Sequence, residues 1–283
     1  MVIKSVGVFP SQTARNSVAV IAAMTECLKR NGISVNENDW NADTVLIWSV
    51  LWHGRMQANR PLYEHYRTKK RPVIVVDIGA LRRGETWKVA VNNVTAEGYY
   101  GHTEDLDRDR PKKLKISLAA PTVKHPSILI AAQHRNSQQT SKIGNIEAWI
   151  NQQVIKLKEI TDRPIIIRPH PRSPLNLSQL LPGIEVKSPN PVVGTYDSFD
   201  MKFDHHAIVN HNSGVGIQAA LAGVRPIVDS TSLAHPVSVE LNKLEQLYLQ
   251  DRKQWLIEIC HTEYTVQELK EGLWLKRIGH HLQ

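Results

Sequence analysis

Three polar clusters in this chain each follow a short apolar run, and their residue types suit a ligand that carries phosphate. Gln133-His134-Arg135-Asn136-Ser137 follows Ile128 to Ala132, and Arg168-Pro169-His170-Pro171-Arg172 follows Ile165 to Ile167. The third, Asn210-His211-Asn212-Ser213-Gly214, follows Ala207 to Val209. Arginine grips phosphate oxygens with a planar fork of N–H groups, and an imidazole adds a further hydrogen bond. The third cluster opens a helix-forming segment, Val215 to Ala222, which Gly223 stops before a second apolar strand at Ile227 and Val228. A helix start offers unpaired backbone N–H groups and the positive end of its dipole to an anion. Gln133, His134, Arg135, Ser137, Arg168, His170, Asn212, Ser213 and Gly214 are thus candidate nucleotide-binding residues. Each cluster alone also reads as a plain crossover turn, with Pro169 and Pro171 locking the backbone around His170. Convergence of three at one sheet edge is the more specific signal.

A different chemistry is suggested at Asp77. The run Arg71-Pro72-Val73-Ile74-Val75-Val76 ends in Asp77-Ile78-Gly79, and an acid at the tip of a buried strand suits a general base, or the capping of the next turn. Arg82, Arg83 and Trp87 follow, mixing cations with an aromatic face as unstacked bases and phosphates require. Trp48, Trp52, His53 and Arg55 repeat the mixture at the previous strand end, where tryptophan also serves packing. The histidines do not form a metal site: His205 and His206 are adjacent and diverge on a strand, His280-His281 is terminal, and no ligand spacing recurs.

Positioning these residues takes alternating strands and helices. Strands are expected at Ile3 to Phe9, Thr44 to Trp48, Val73 to Ile78, Ser127 to Ala132, Pro164 to Arg168, Ile184 to Lys187, Ala207 to Asn210 and Pro226 to Val228. Helices are expected at Thr13 to Asn31, Gly144 to Ile160, Leu175 to Leu181 and Gly214 to Ala222. Continuous apolar strands between helices imply doubly wound parallel sheets. The Pro-containing stretch from Lys115 to Ser127 breaks the pattern, so an acceptor-binding domain is expected over 1–120 and a nucleotide-binding domain over 121–250. The amphipathic, aromatic stretch 251–283 is expected to return as a helix to the first domain.

Composition narrows the setting. Of 283 residues, 41% are hydrophobic and 22% charged, ordinary values for a globular chain. No apolar run approaches the roughly 20 residues of a membrane span, and Met1-Val2-Ile3-Lys4 lacks a signal-peptide layout. Two distant cysteines, Cys27 and Cys260, read as buried thiols of a cytoplasmic protein. The net charge of +8, with basic residues clustered at Arg67 to Arg71, Arg82-Arg83 and Arg108 to Lys115, leans toward a polyanionic partner or a solvated basic face.

Taken together these residues resemble the GT-B glycosyltransferases. The α/β fold implied is two facing Rossmann-like domains with a cleft between them. Ser213 to Gly223 is similar to the sugar-nucleotide loop and helix of that family, with Gln218 where many members carry a ribose-binding Glu, and Arg168-Pro169-His170-Pro171 is similar to the His-Pro motif of capsule-polysaccharide transferases. The segment Val76-Asp77-Ile78 with Trp87, and the loop from Gln133 to Gln138 with Arg135, resemble the catalytic-Asp and diphosphate segments of the phage DNA glucosyltransferases. That resemblance implies an inverting transfer of glucose from UDP-glucose to a 5-hydroxymethylpyrimidine in DNA by a monomer, with a divalent metal possible but not required by the sequence. Asp77 would be the base, and Trp52, His53, Arg55, Arg82, Arg83 and Trp87 would contact the acceptor. A capsule or surface-polysaccharide transferase, and a non-catalytic nucleic-acid-binding α/β protein, are the alternatives.

Overall fold

The computed structural model describes residues 3–121, 125–195, 198–246 and 251–282. The chain divides into two compact units, Met1–Leu114 with Ile257–Gln283, and Lys115–Leu256. The first contains β1 (Ser5–Val8), α1 (Val18–Arg30), β2 (Ser34–Glu37), β3 (Thr44–Trp48), α2 (Asn59–Thr68), β4 (Val73–Ile78), β5 (Trp87–Val91) and α3 (Arg110–Lys113). The second contains β6 (Ile128–Ala131), α4 (Ile146–Lys158), β7 (Ile165–Arg168), β8 (Glu185–Val186), β9 (Ala207–Val209), α5 (Gly214–Leu221) and β10 (Arg225–Ile227). The unit boundary falls within α6 (Lys253–Cys260), after which β11 (Glu263–Tyr264), α7 (Val266–Glu271) and α8 (Leu273–Ile278) belong to the first unit.

In the first unit the strand order is β11-β5-β4-β3-β1-β2. Strands β2, β1, β3 and β4 are parallel, whereas β5 and β11 run antiparallel to their neighbours. The uniformly parallel sheet expected from sequence therefore gains an antiparallel edge. The alternating Trp87-Lys88-Val89-Ala90-Val91 pattern of β5 carries a lysine and does not read as a continuous apolar run. One sheet face, including Ile74, Val76, Val89 and Val91, packs against Val20, Met24, Cys27 and Leu28 of α1 and Leu269 and Trp274 of the C-terminal segment. The other face, with Val45, Ile47, Val73 and Val75, is covered by Leu62 and Tyr66 of α2. Each such fully buried aliphatic side chain contributes about 1.5–3 kcal/mol relative to exposure.

The C-terminal stretch is not one helix. Gly272, at φ +86°, separates α7 from α8, and β11 interrupts them upstream. Arg110 explains how this stretch is anchored. Its guanidinium donates to Cys260 O (2.6 Å), Glu263 O (2.6 Å) and Glu268 Oε1 (2.8 Å), and lies 5.1 Å from the Tyr264 ring centroid. The same Glu268 closes the capping box of α7 with Thr265. Arg110 is thus a buried tie, not part of the solvated basic cluster the sequence suggested, and Lys113 beside it is paired with Asp107 at 2.6 Å.

The second sheet is wholly parallel, in the order β10-β9-β6-β7-β8. Ile150, Val154 and Leu157 of α4 pack on Ile128, Ile130, Ile165 and Ile167, while Ala219 of α5 covers Leu129 and Ile208 on the other face. Leu175 to Leu181 forms only a short 3-10 turn, Leu177–Gln179, where a helix was expected. Two proline neighbours, Pro174 and Pro182, limit the segment, and Asn176 turns its side chain onto Ser178 N.

Candidate functional site

In each sheet the chain reverses its direction of winding between two strands, leaving a crevice at their carboxyl ends where open α/β sheets bind ligands. The second unit reverses between β6 and β9. The loops leaving these strands are those that carry Gln133 to Ser137 and Asn210 to Gly214.

These loops are stapled together. Gln133 Nε2 donates to Asn212 Oδ1 (2.9 Å), and Asn212 N donates to Gln133 Oε1 (2.8 Å). Asn212 Nδ2 also donates to Thr231 Oγ1 at 2.9 Å, which draws in the loop after β10. Both amides are over 90% buried, so Gln133 and Asn212 shape the site more than they offer atoms to a ligand. Arg135 has a similar duty. It donates to the buried Glu147 Oε1 (2.9 Å), Pro174 O (2.8 Å) and Ser173 Oγ (3.3 Å), joining the β6 and β7 loops to α4. Burial acts to raise the Glu147 carboxyl, but Asn176 N and Arg135 hold it below its usual value. Ser137 Oγ accepts from Gln139 N, so it caps its own turn.

Two imidazoles meet beside this network, His134 and His170, with ring centroids 5.1 Å apart and edge to face. His134 Nδ1 accepts from Asn136 N (3.1 Å) and His170 Nδ1 accepts from Arg172 N (3.1 Å). A backbone N–H can only donate, so in both neutral rings the proton lies on Nε2. Sequence spacing carries that signal: each histidine begins a turn whose i+2 amide reaches back to it. Arg168 leaves β7 half-buried and donates to Asp200 O at 2.6 Å; desolvation pulls its guanidinium below the usual value.

The start of α5 lacks a side-chain cap. Ser213 stands at the N-cap position, yet its Oγ accepts from Asn210 Nδ2 (3.1 Å). By contrast Asn145 caps α4 through Ala148 N at 2.7 Å. Gly216 keeps α5 close to the sheet, since a Cβ there would meet Asn210 Oδ1 and Val228 Cγ1 at 2.9 Å. Gln218 lies one turn along the helix, half-buried.

The first unit reverses between β1 and β3, and Asp77 is the last residue but one of β4, the strand that pairs with β3. Ser49, at φ +63°, turns the chain after β3 and donates from Oγ to Asp77 Oδ2 at 3.3 Å. Asp77 Oδ1 accepts from Ile78 N at 2.8 Å. Burial raises the Asp77 carboxyl above its usual value, against the opposing pull of Ile78 N, Lys88, Ser49 and Arg83. A carboxyl so raised moves toward the proton affinity useful in base catalysis.

The remaining first-unit candidates scatter. Arg83 is exposed, and its charge reaches Asp77. Arg82 pairs with Glu85, and Trp52 packs on Tyr63 with centroids 5.7 Å apart. His53 and Arg55 lie exposed at and within a 3-10 turn, Gly54–Ala58. Trp87 pairs with Ile78 and packs into the core on the face opposite Asp77, so it is not brought to the acid.

Sequence reasoning overlooked Lys88, Tyr100 and Glu263. Register puts Lys88 directly across from Asp77 on one side and Glu263 on the other. Glu263 is fully buried and accepts from Ala80 N (2.6 Å), Leu81 N (3.1 Å) and Thr86 Oγ1 (2.7 Å). Gly79 permits this approach, because a Cβ there would collide with Glu263 Oε2. Burial drives the Tyr100 hydroxyl well above its usual pKa, with Glu263 and Asp77 adding to the rise. Charged residues in strands break the apolar pattern, which is the one sequence signal of such a row.

No protein-family model and no curated protein matches the chain. Among solved structures it is similar to the KpsC β-Kdo 2,4 transferase of Thermosulfurimonas dismutans, at TM-score 0.52 and 12% identity over 96% of this chain and 98% of that one. The fold is GT-B. The KpsC β-Kdo 2,7 transferase of the same organism aligns over 96% of this chain and 100% of its own, at TM-score 0.50 and 12% identity. At this identity the likeness extends to the GT-B architecture. Among the described residues no helix is long and apolar enough to cross a membrane, and no group of three or more His, Cys, Asp or Glu side chains is arranged to hold a metal ion.

Proposed function

We propose that this chain is a glycosyltransferase that moves a sugar from a nucleotide-activated form to an acceptor hydroxyl, with Asp77 as the base. The observation that carries the reading is Asp77 itself, a desolvated carboxyl at a strand end of a GT-B fold. Asp77 takes the acceptor hydroxyl proton as that oxygen attacks the anomeric carbon. The bond from that carbon to the phosphate oxygen breaks, the electron pair leaves with the phosphate, and configuration inverts. Arg168, His134, His170 and the first-turn amides of α5 meet the departing charge, and Gln218 in this reading bonds a sugar or ribose hydroxyl. Gln133, Asn212, Arg135 and Ser137 hold the loops that carry them.

A carbohydrate is the acceptor we favour, supported by the fold likeness to two Kdo transferases. The second reading is a 5-hydroxymethylpyrimidine in DNA glucosylated from UDP-glucose, with Arg82, Arg83, Trp52, His53 and Arg55 on the acceptor side. The net charge of +8 favours it. That charge is partly spent inside the protein, however: Arg110, Arg225 and Arg252 are buried, and Arg110 and Arg252 donate to backbone carbonyls. Two buried cysteines suit work in the cytoplasm. The test is turnover of labelled UDP-glucose and Kdo nucleotide with oligosaccharide or hydroxymethylated DNA, using wild type and Asp77→Asn. Transfer to either acceptor that Asp77→Asn abolishes supports the reading; equal rates in the two proteins overturn it.

A further inference from the structure

Strands β4, β5 and β11 set Asp77, Lys88 and Glu263 side by side on one face of the sheet, an acid, a cation and an acid in a row. Directly opposed residues on antiparallel strands bring their Cβ atoms within about 5.5 Å. Lys88 is 7% exposed, and among the described residues no hydrogen bond or ion pair engages its ammonium. A buried charge without a close partner is costly, and a fold that needed only packing here would be served better by an apolar residue. What the ammonium does have is a carboxylate on each flanking strand. Glu263 is pinned by three hydrogen bonds and Asp77 by one from Ile78 N and one from Ser49 Oγ, so neither is free to swing away.

We propose that Lys88 is the positioning residue of the base: carried on β5 between two fixed carboxylates, it holds Asp77 ionised and ready to accept the hydroxyl proton. It is not itself a catalytic residue in this assignment, since it acts through Asp77. The groups acting on Asp77 are Ile78 N on its own strand, Lys88 from β5, Ser49 from the turn after β3 and Arg83 from the loop after β4, while Tyr100 from the loop beyond β5 is itself raised by Asp77. Glu263 completes the row from β11. Of the two cations only Lys88 is buried, so its field is the less screened by salt. The Tyr100 hydroxyl has no hydrogen-bond partner among the described residues and stays neutral, so it leaves the charge balance to Lys88.

This inference rests on Asp77 being the base, and its test separates the two. Carbon-13 NMR of aspartate-labelled protein, with the Asp77 signal assigned by its loss in Asp77→Asn, gives the Asp77 midpoint without any substrate. In Lys88→Met, which keeps the shape of the side chain, the midpoint should rise by about one pH unit, and Lys88→Arg should bring it back. The acid limb of kcat/KM for the sugar nucleotide that wild type turns over should move to higher pH by the same amount. Should Lys88→Met not fold, Lys88→Gln provides the same measurement. An Asp77 midpoint unchanged in the folded variant overturns the assignment of Lys88, whereas full activity in Asp77→Asn overturns the base and leaves the NMR coupling to stand alone.

Discussion

The candidate sites of the two units are built from different materials. In the second unit, paired amides and the Arg135–Glu147 ion pair tie the loops after β6, β7, β9 and β10 together, and two imidazoles accept from amides of their own turns beside them. In the first, ionisable groups on three adjacent strands face one another with few close contacts. Groups tied by many close hydrogen bonds give a receptor of fixed shape. Charges held apart on strands give a site whose state follows the proton. A binding surface and a proton-transfer site are well served by these two solutions, since hydrogen bonds fix geometry and unneutralised fields shift proton affinity.

Asp77→Asn tests the titrating side most severely. Transfer should fall by about 10²–10⁴-fold, the range of general-base catalysis. Sugar-nucleotide binding by calorimetry should stay the same, because the surface in the second unit is untouched. The stability sign is opposite to that of activity. The folded protein raises this carboxyl, so it binds more protons than the unfolded chain between the ordinary and the raised value, and Asp77 lowers stability as pH rises through that window. The Asn variant should therefore melt at or above the wild-type temperature at neutral pH; a clearly lower melting point would mean the ionised carboxylate stabilises the fold.

On the rigid side, Glu147→Ala removes the buried anchor of Arg135 and of Asn176 N. A loss of about 2 kcal/mol by denaturant unfolding is expected, together with weaker sugar-nucleotide binding, while the Asp77 titration stays put. If binding survived intact, the loop staple would not be what shapes the receptor. Replacing His170 with Ala should be milder, raising the Kd for the sugar nucleotide about tenfold, or about 1.4 kcal/mol, with no change in unfolding midpoint. The smallest effect is expected at Glu245, far from either crevice in role. Hydrogen bonds from Arg163 hold its carboxyl down at about 2. That depression adds stability above the unfolded value of about 4.3 and loses it as pH falls toward about 2. The group is half exposed, so Glu245→Gln should cost only a few tenths of a kcal/mol at pH 7, a deficit that closes in acid.

How far the molecule was legible in the chain depended on which interactions set each part. The strands Thr44–Trp48 and Val73–Ile78 were expected at the residues where they lie, and α5 to within one residue, because apolar runs and glycine stops are local signals. The clusters at Gln133, Arg168 and Asn210 were legible as strand ends for the same reason. Their division of labour was not. Gln133 and Asn212 lie 79 residues apart, and only folding shows that they pair with each other. Arg110 read as one more surface cation until three acceptors 150 or more residues away surrounded it. Trp87 read as a companion of Asp77, but antiparallel pairing with Ile78 turns it to the opposite face.

The sequence by itself determined the elements of an α/β chain, the polar residues at their carboxyl ends and the acid that closes β4, since each follows from periodicity and neighbouring residue types. Tertiary structure alone decided that β5 and β11 join the sheet antiparallel and bring Lys88 and Glu263 into line with Asp77. Strand order and register depend on contacts between segments as far apart as 175 residues in the pairing of Lys88 with Glu263, and no local pattern records them.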